Sequence, residues 1–314
     1  MLYRTLGRTG LKVSIAGLGT GGASKLGQNT GRTPAESRRV VRKALDMGIN
    51  TFDSSPAYGE SEELLGAALE GVPRDRYVLA TKFQPKADDR IHSAPEALME
   101  QLEQSLRRLR VDTIDVLQYH GVGPEIYREV IERFHPVALR AQEAGKVRFL
   151  GITETVAGDP HHEMLQMALQ EDLFDTFMVK YGIFNQGAAE EIFPLAQEKN
   201  LGVFVMAAVR TSLRNPKEAA ETIHQFIDDR LLSIPRPGED DPLGLKDVTE
   251  GEVPSVTEAA YQFAAAHEAV STVLIGTGNP QHLETNVADL LSFPLSEAQL
   301  DYLKETYGHL AWNA

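Results

Sequence analysis

Short apolar runs alternate along the chain with amphipathic segments. The runs Ile15–Leu18, Thr51–Asp53, Val78–Lys82, Ile114–Gln118, Val147–Thr153, Thr176–Lys180, Val203–Met206 and Thr272–Ile275 read as strands. Most lack strict alternation, as expected of strands buried on both faces. Between them, Leu98, Leu102, Leu106 and Leu109 keep one helical face apolar across Pro95–Leu109. Val40, Val41, Ala44 and Leu45 mark another helix, as do Leu283, Val287, Leu290 and Leu291 near the end. Leu64, Leu65, Ala68 and Leu69 do the same for a segment opened by Ser61, whose hydroxyl suits an N-cap. Successive strands from Thr51 to Val203 start roughly 26–37 residues apart, the size of a βα unit. Eight such units predict a closed (β/α)₈ TIM barrel spanning 1–314 as one domain, with an open doubly wound sheet as competitor. Leu2–Ser14, with a turn at Gly7–Gly10, reads as an N-terminal hairpin. Extra helical patterns lie toward the C-terminus at Pro216–Asp229 and Val256–His267. They are joined by Leu231–Pro254, a connection long enough to be functional, mobile or merely decorative.

Composition narrows the class. Of 314 residues, 31 are Lys or Arg and 45 Asp or Glu, a net charge of −14, which argues against nonspecific nucleic-acid or anionic-membrane binding. The absence of cysteine excludes disulfides, zinc–thiolate sites, iron–sulfur clusters and cysteine nucleophiles. No run of 18 apolar residues is present, and Met1-Leu2-Tyr3-Arg4-Thr5 lacks the apolar stretch of a signal peptide. A cytoplasmic enzyme is the expectation. No Walker A or H-E-x-x-H pattern occurs, and no metal site is expected. His161-His162-Glu163 reads as a solvated helix start.

Gly17-Leu18-Gly19-Thr20-Gly21-Gly22 fits G-x-G-x-x-G, but a dinucleotide fingerprint opens a helix at the last glycine. Here a polar loop follows and the helix waits until about Pro34. The glycines still let a ligand approach the backbone at a strand's C-terminal end. Asp53 closes a strand, Tyr58 sits in the loop after it, Lys82 closes the next strand and His120 follows the one after. In a barrel these four side chains share the active-site face. Each has a bland alternative: packing for Tyr58, helix capping for Asp53, solvation for Lys82, a structural role for His120. Together they make a proton donor. An ammonium stabilises phenolate, a carboxylate keeps the ammonium charged and placed, and an imidazole hydrogen-bonds a carbonyl oxygen receiving hydride.

From Gly17 to Asn286 the chain resembles the aldo-keto reductase superfamily. The resemblance rests on Asp53, on Ala57-Tyr58-Gly59-x-Ser61-Glu62-x-x-Leu65-Gly66, on Thr81-Lys82, on Gln118-Tyr119-His120 and on Gly145–Thr153. It implies a barrel with NADP or NAD extended across the C-terminal face. It also implies reduction of a small aldehyde, ketone or sugar carbonyl, with Tyr58 as acid/base, Lys82 tuning it, Asp53 pairing with Lys82 and His120 orienting the carbonyl. A cofactor-binding regulatory or sensor protein is the alternative. The family's Ser-Asn and Gln, which hold the nicotinamide carboxamide, correspond to Thr153, Glu154 and Met178, and the stacking aromatic to Tyr181. The resemblance places pyrophosphate contacts at Ala207, Val209 and Arg210 within Ala207–Leu213. Adenosine contacts fall at Gly276, Thr277, Gly278, His282 and Asn286; Gly19, Thr20, Gly21 and Asp53 complete the expected cofactor site. Gly276–Asn286 contains no Lys or Arg, so the NADP preference usual in the family is not written into it; Glu284 is a candidate for the ribose 2′-hydroxyl of NAD. Loops Gly21–Arg32, Gly121–Glu125 and Leu231–Pro254 are expected at the barrel mouth.

Overall fold

The structure, a computed structural model, describes residues 1–87, 90–250 and 252–312. Eight parallel strands close a barrel: β1 (Ala16–Gly19), β2 (Thr51–Asp53), β3 (Val78–Phe83), β4 (Ile114–Val122), β5 (Val147–Glu154), β6 (Thr176–Lys180), β7 (Gly202–Met206) and β8 (Thr272–Gly276). They pair in chain order, and β8 returns to β1 through Val273↔Ala16 to Gly276↔Gly19. All eight expected strands are present. The largest difference is β4, which runs on to Val122, so that His120 lies within the strand rather than after it. The long connection 231–254 includes Gly251, which lies outside the described residues.

Side chains of alternate strand residues divide between two cores. Val78, Ala80, Val116, Met178 and Phe204 fill the lumen, while their strand neighbours Leu79, Leu117, Phe177, Val179 and Val205 pack outward on the helices. The hairpin, Tyr3–Thr5 paired with Lys12–Ser14, plugs the lumen's lower end with Leu6 and Val13. Burying such aliphatic side chains contributes about 1.5–3 kcal/mol each.

The helices follow their caps and stripes. α1 (Pro34–Asp46) opens on a capping box, Thr33 with Glu36, and buries Val40, Val41 and Ala44. α2 (Ser61–Leu69) differs from expectation at its start. The Ser61 hydroxyl donates to the Thr20 carbonyl (3.0 Å) and accepts from Gln28 Nε2 (2.9 Å), so it ties loops together rather than capping the helix. α3 (Ala97–Leu109) buries Leu98, Leu102, Leu106 and Leu109 as predicted. α4 (Tyr127–Glu143) and α5 (Glu163–Glu171) follow β4 and β5. His162, expected to be solvated, is wholly buried, with its backbone in the left-handed region (φ 55°). After β6 come α6 (Ala188–Glu191) and α7 (Phe193–Glu198); after β7 come α8 (Pro216–Asp228) and α9 (Val256–Ala266). α10 (Pro280–Leu291) and α11 (Glu297–Tyr307) finish the chain.

The described part of the 231–254 connection is anchored, not loose. Leu243 and Leu245 are buried, the Leu243 carbonyl accepts from Tyr307 (3.1 Å), and Thr249 accepts from Gln299 (2.8 Å). A two-residue ribbon, Lys86–Ala87 with Arg90–Ile91, was not foreseen. Among the described residues no helix is long and apolar enough to cross a membrane.

Candidate active site

Register brings the four predicted catalytic side chains to one end of the barrel. β2 carries Asp53, β3 Lys82 and β4 His120, and the loop after β2 turns Tyr58 back over them. Lys82 is 1 % exposed and donates to Asp53 Oδ2 (2.5 Å) and to the Ser54 carbonyl (2.8 Å). Its ammonium lies 4.9 Å from the centre of the Tyr58 ring. The Tyr58 hydroxyl stands 3.4 Å from His120 Nε2, and the two rings meet edge-to-face.

Gly21 is the seat of the Tyr58 ring. A Cβ there would lie 2.6 Å from Tyr58 Cε2 and Cζ, so the phenol can occupy this position only over a glycine. Gln28 clamps the same loop, donating to the Tyr58 carbonyl (3.1 Å) and accepting from Glu60 N (2.8 Å).

The electrostatics depart from the simplest expectation. Burial pushes the Tyr58 phenol above its ordinary value; the Lys82 charge pulls it back only in part, and Asp53 pushes it further up. Tyr58 is therefore a protonated donor at neutral pH. Burial also pushes Asp53 upward against the opposing pull of Lys82. Burial works to lower Lys82, but Asp53 and Tyr58 together outweigh it and keep the ammonium charged. His120 is pushed down to about 3, first by burial and then by the Lys82 charge, so it is a neutral imidazole.

Three further residues belong to the site. Ser55 Oγ lies 3.2 Å from His120 Nδ1, Gln84 Nε2 contacts the same nitrogen, and Gln118 Nε2 donates to Asp53 Oδ1 (2.9 Å). Each stands two residues from a predicted one: Ser55 from Asp53, Gln84 from Lys82, Gln118 from His120. Period-two alternation along a strand was the signal that could have found them.

The residues expected to meet a cofactor are placed unevenly. Gly19 and Gly276 pair in register at the ends of β1 and β8, where both strands are bare of side chains; a Cβ on Gly276 would lie 3.8 Å from the Gly19 carbonyl and 3.9 Å from that of Gly21, in ordinary contact. Thr20 is buried and engaged throughout: its hydroxyl donates to Ser54 Oγ (2.9 Å), its N–H to the Asp53 carbonyl (2.9 Å), and its carbonyl accepts from Ser61 (3.0 Å). Thr153 accepts from Gly121 N (2.7 Å) and keeps its hydroxyl proton to donate. Ala207 holds a left-handed conformation (φ 64°), an uncommon one for a residue with a Cβ, directly after β7. Ala207 and Arg210 line a small pocket with Lys180, Ser212 and Trp312, and Val209 is half-buried beside them. Thr277 is buried, with its hydroxyl on the Asn279 backbone; Gly278 packs against Gly27; His282 is exposed and Asn286 half-buried on α10.

Tyr181 is turned toward the helix layer. It has the outward parity of Val179, and its ring packs on Phe193 (4.9 Å between centres), Phe263 and His267 in the helix layer. Tyr181 also lines the small pocket with Ala207 and Arg210, while its ring is held in these aromatic contacts. Met206 has lumen parity and is half-buried at the end of β7. Glu154 is also diverted: it accepts from Lys180 N (2.6 Å), lies 2.8 Å from His162 Nδ1 and pairs with Lys180 Nζ at 3.6 Å, bracing β5 to β6. Glu284 forms an exposed ion pair with Lys43 of α1, so a ribose hydroxyl would share its carboxylate with that ammonium. Among the described residues no group of three or more His, Asp or Glu is arranged to hold a metal ion.

The backbone left bare at Gly19 and Gly276, the Thr153 hydroxyl and the apolar lumen side chains Met178 and Met206 fit an extended nucleotide lying over the strand ends. The model of the aldo/keto reductase family matches residues 17–307. L-galactose dehydrogenase of Arabidopsis thaliana is 27% identical over 98% of this chain and 96% of its own. Pyridoxal 4-dehydrogenase of Microbacterium luteolum is 27% identical over 90% of this chain and 91% of its own. Among solved structures, the holo form of an aldo-keto reductase from Bacillus halodurans superposes with a TM-score of 0.72 at 25% identity, covering 97% of this chain and 96% of that one.

Proposed function

Because the chain belongs to the aldo/keto reductase family, we propose that it is an NAD(P)-dependent oxidoreductase interconverting a small aldehyde, ketone or sugar carbonyl with its alcohol. The observation that carries this reading is the buried Asp53–Lys82 pair set beneath a protonated Tyr58 whose hydroxyl meets His120. A bound nicotinamide would supply a hydride in one direction and accept one in the other. Gly19, Gly21, Ala207, Val209, Arg210, Gly276, Thr277, Gly278, His282 and Asn286 would hold the nucleotide, mostly through backbone. Thr153 would donate its hydroxyl to the carboxamide oxygen. Neither Glu154 nor Met178 offers the amide donors usual in the family.

In the reducing direction Tyr58 gives its phenolic proton to the carbonyl oxygen. Lys82 stabilises the phenolate left behind, and Asp53 keeps that ammonium charged in a site where burial alone would neutralise it. His120 is neutral. With its Nδ1 engaged by Ser55 and Gln84, it presents Nε2 beside the Tyr58 hydroxyl. In the oxidising direction the phenolate takes the alcohol proton. Turnover of an activated aromatic aldehyde, followed by nicotinamide absorbance, tests the reading. Dependence on Tyr58 supports it; saturable nucleotide binding with no turnover of any carbonyl would sink it.

A further inference from the structure

Gln118 is the one wholly buried side-chain amide beside the Asp53–Lys82 pair among the described residues. It stands on β4 two residues before His120, and its backbone is in register with Lys82 on one side and Gly151 on the other. Gly151 makes room for it: a Cβ there would lie 3.1 Å from Gln118 Cγ. Its Nε2 donates to Asp53 Oδ1 at 2.9 Å, while Lys82 takes Oδ2 at 2.5 Å. The two carboxylate oxygens thus have different donors, and neither can rotate into the place of the other without losing a bond. The orientation of the amide follows from charge. A carboxylate only accepts, so Gln118 must turn its nitrogen to Asp53, and its Oε1 is left buried without a partner. An orphaned buried acceptor is costly, and the lumen tolerates it here beside an ion pair.

We propose that Gln118 is a positioning residue of the proton-donating site: by holding Asp53 Oδ1 it keeps the carboxylate ionised and turned to Lys82, and through Lys82 it sets the acidity of Tyr58. This rests on the oxidoreductase reading for its consequence in turnover, but not for the titration of Tyr58 itself. The charged and titratable groups facing Tyr58 are Lys82 from β3, Asp53 from β2 and His120 from β4; β1 carries no charged residue, and Glu154 at the end of β5 is engaged by His162 and Lys180. Without the Gln118 donor, the Asp53 anion is less stable and a proton passes more readily from Lys82 to Asp53. Both partners are then neutral. Lys82 acts on Tyr58 more strongly than Asp53 does, so loss of both charges leaves the phenolate less stable and the phenol less acidic.

The test uses the full chain with Gln118→Met, which keeps the volume and removes the donor. The ionisation of Tyr58 is read as the difference in phenolate absorbance between each protein and the same protein carrying Tyr58→Phe. The midpoint should rise by about one pH unit in Gln118→Met. In the holoenzyme, the limb of kcat for alcohol oxidation that rises with pH should move by the same amount. At pH 7 kcat should fall about tenfold, with the Kd of NAD or NADP within about twofold of wild type. If Gln118→Met does not fold, Gln118→Asn, too short by one methylene to reach Asp53, should give the same shift. A Tyr58 midpoint and pH profile unchanged in the folded variant would overturn the proposal. If the wild-type chain turned over no carbonyl at all, the oxidoreductase reading would fail instead, and the absorbance titration would still decide the role of Gln118.

Discussion

Replacing Lys82 by Met separates what the buried pair does for stability from what it does for chemistry. Asp53 is 3 % exposed and, among the described residues, pairs with Lys82 alone, at 2.5 Å. Removing one member of a buried pair costs about 3–5 kcal/mol, because the other charge stays behind unpaired. For a chain of this size that lowers Tm by on the order of 10 °C. Adding Asp53→Asn should restore most of the loss, since no charge then remains to be desolvated. The pH dependence has a definite sign. Asp53 already titrates above its unfolded value because of burial, and without Lys82 it rises further. The native state then binds the proton more readily than the unfolded one, so stability is gained as pH falls, fully below the ordinary carboxylate range near ~4. The Tm deficit of Lys82→Met should shrink steadily from pH 8 to pH 5. Catalysis should not recover with stability. A unit charge 4.9 Å from the Tyr58 ring is worth about 3 kcal/mol at an effective dielectric of ~20. That is about two pH units, or roughly a hundredfold in phenolate at neutral pH. Differential scanning fluorimetry across pH, with alcohol oxidation on the same samples, measures both. A Tm deficit independent of pH and untouched by Asp53→Asn would refute the reasoning, as would Lys82→Met with an unshifted pH–rate profile.

Tyr58→Phe keeps the ring over Gly21 and removes the proton; kcat should fall roughly 10²–10⁴-fold with nucleotide Kd little changed, and a loss under threefold would remove Tyr58 from its role. Gly21→Ala puts a methyl 2.6 Å from the Tyr58 ring; at least about a tenfold loss in kcat with near-native Tm is expected, and full activity would show that the ring need not sit there. The His120 imidazole, pushed down to about 3, should show no change in its NMR shifts between pH 5 and pH 8; a titration near 6.5 would contradict its burial beside Lys82. For NADP against NAD, kcat/KM should differ by less than about 100-fold. Arg210→Ala should weaken NADP more than NAD if that side chain meets the 2′-phosphate. Glu284→Gln should change NAD affinity little, its carboxylate being shared with Lys43.

The barrel was legible because parallel strands buried on both faces leave apolar runs, and all eight runs became strands. Asp53, Tyr58, Lys82 and His120 were legible as a group because each falls in the last residues of a strand or in the loop that follows it. What was not legible escaped for local reasons. Tyr181 follows β6 immediately, and composition does not say which way a ring faces; counting by twos from Met178 would have sent it outward. Ser61 looks like a cap until Thr20 and Gln28, distant in sequence, claim its hydroxyl. Glu154 and His162, eight residues apart, meet only because the loop between them folds back over β6. The Lys86–Ala87 ribbon is too short to leave a periodic trace.

The plug at the lower end of the lumen has a consequence for how the chain is made. Arg4, in the hairpin, donates to the carbonyls of Ala265 and Val270, 261 and 266 residues further along, and β1 waits for β8 to complete its pairing. A ribosome therefore releases the floor of the barrel first and its clasp almost at the end. Contacts of such long sequence separation form slowly, since the closure entropy must be met before they reward it. Until Val270 has emerged, Leu6 and Val13 have no closed ring of strands around them. The nascent chain then presents the apolar edge of an open sheet to its surroundings, a period in which chaperone binding protects it and crowding endangers it.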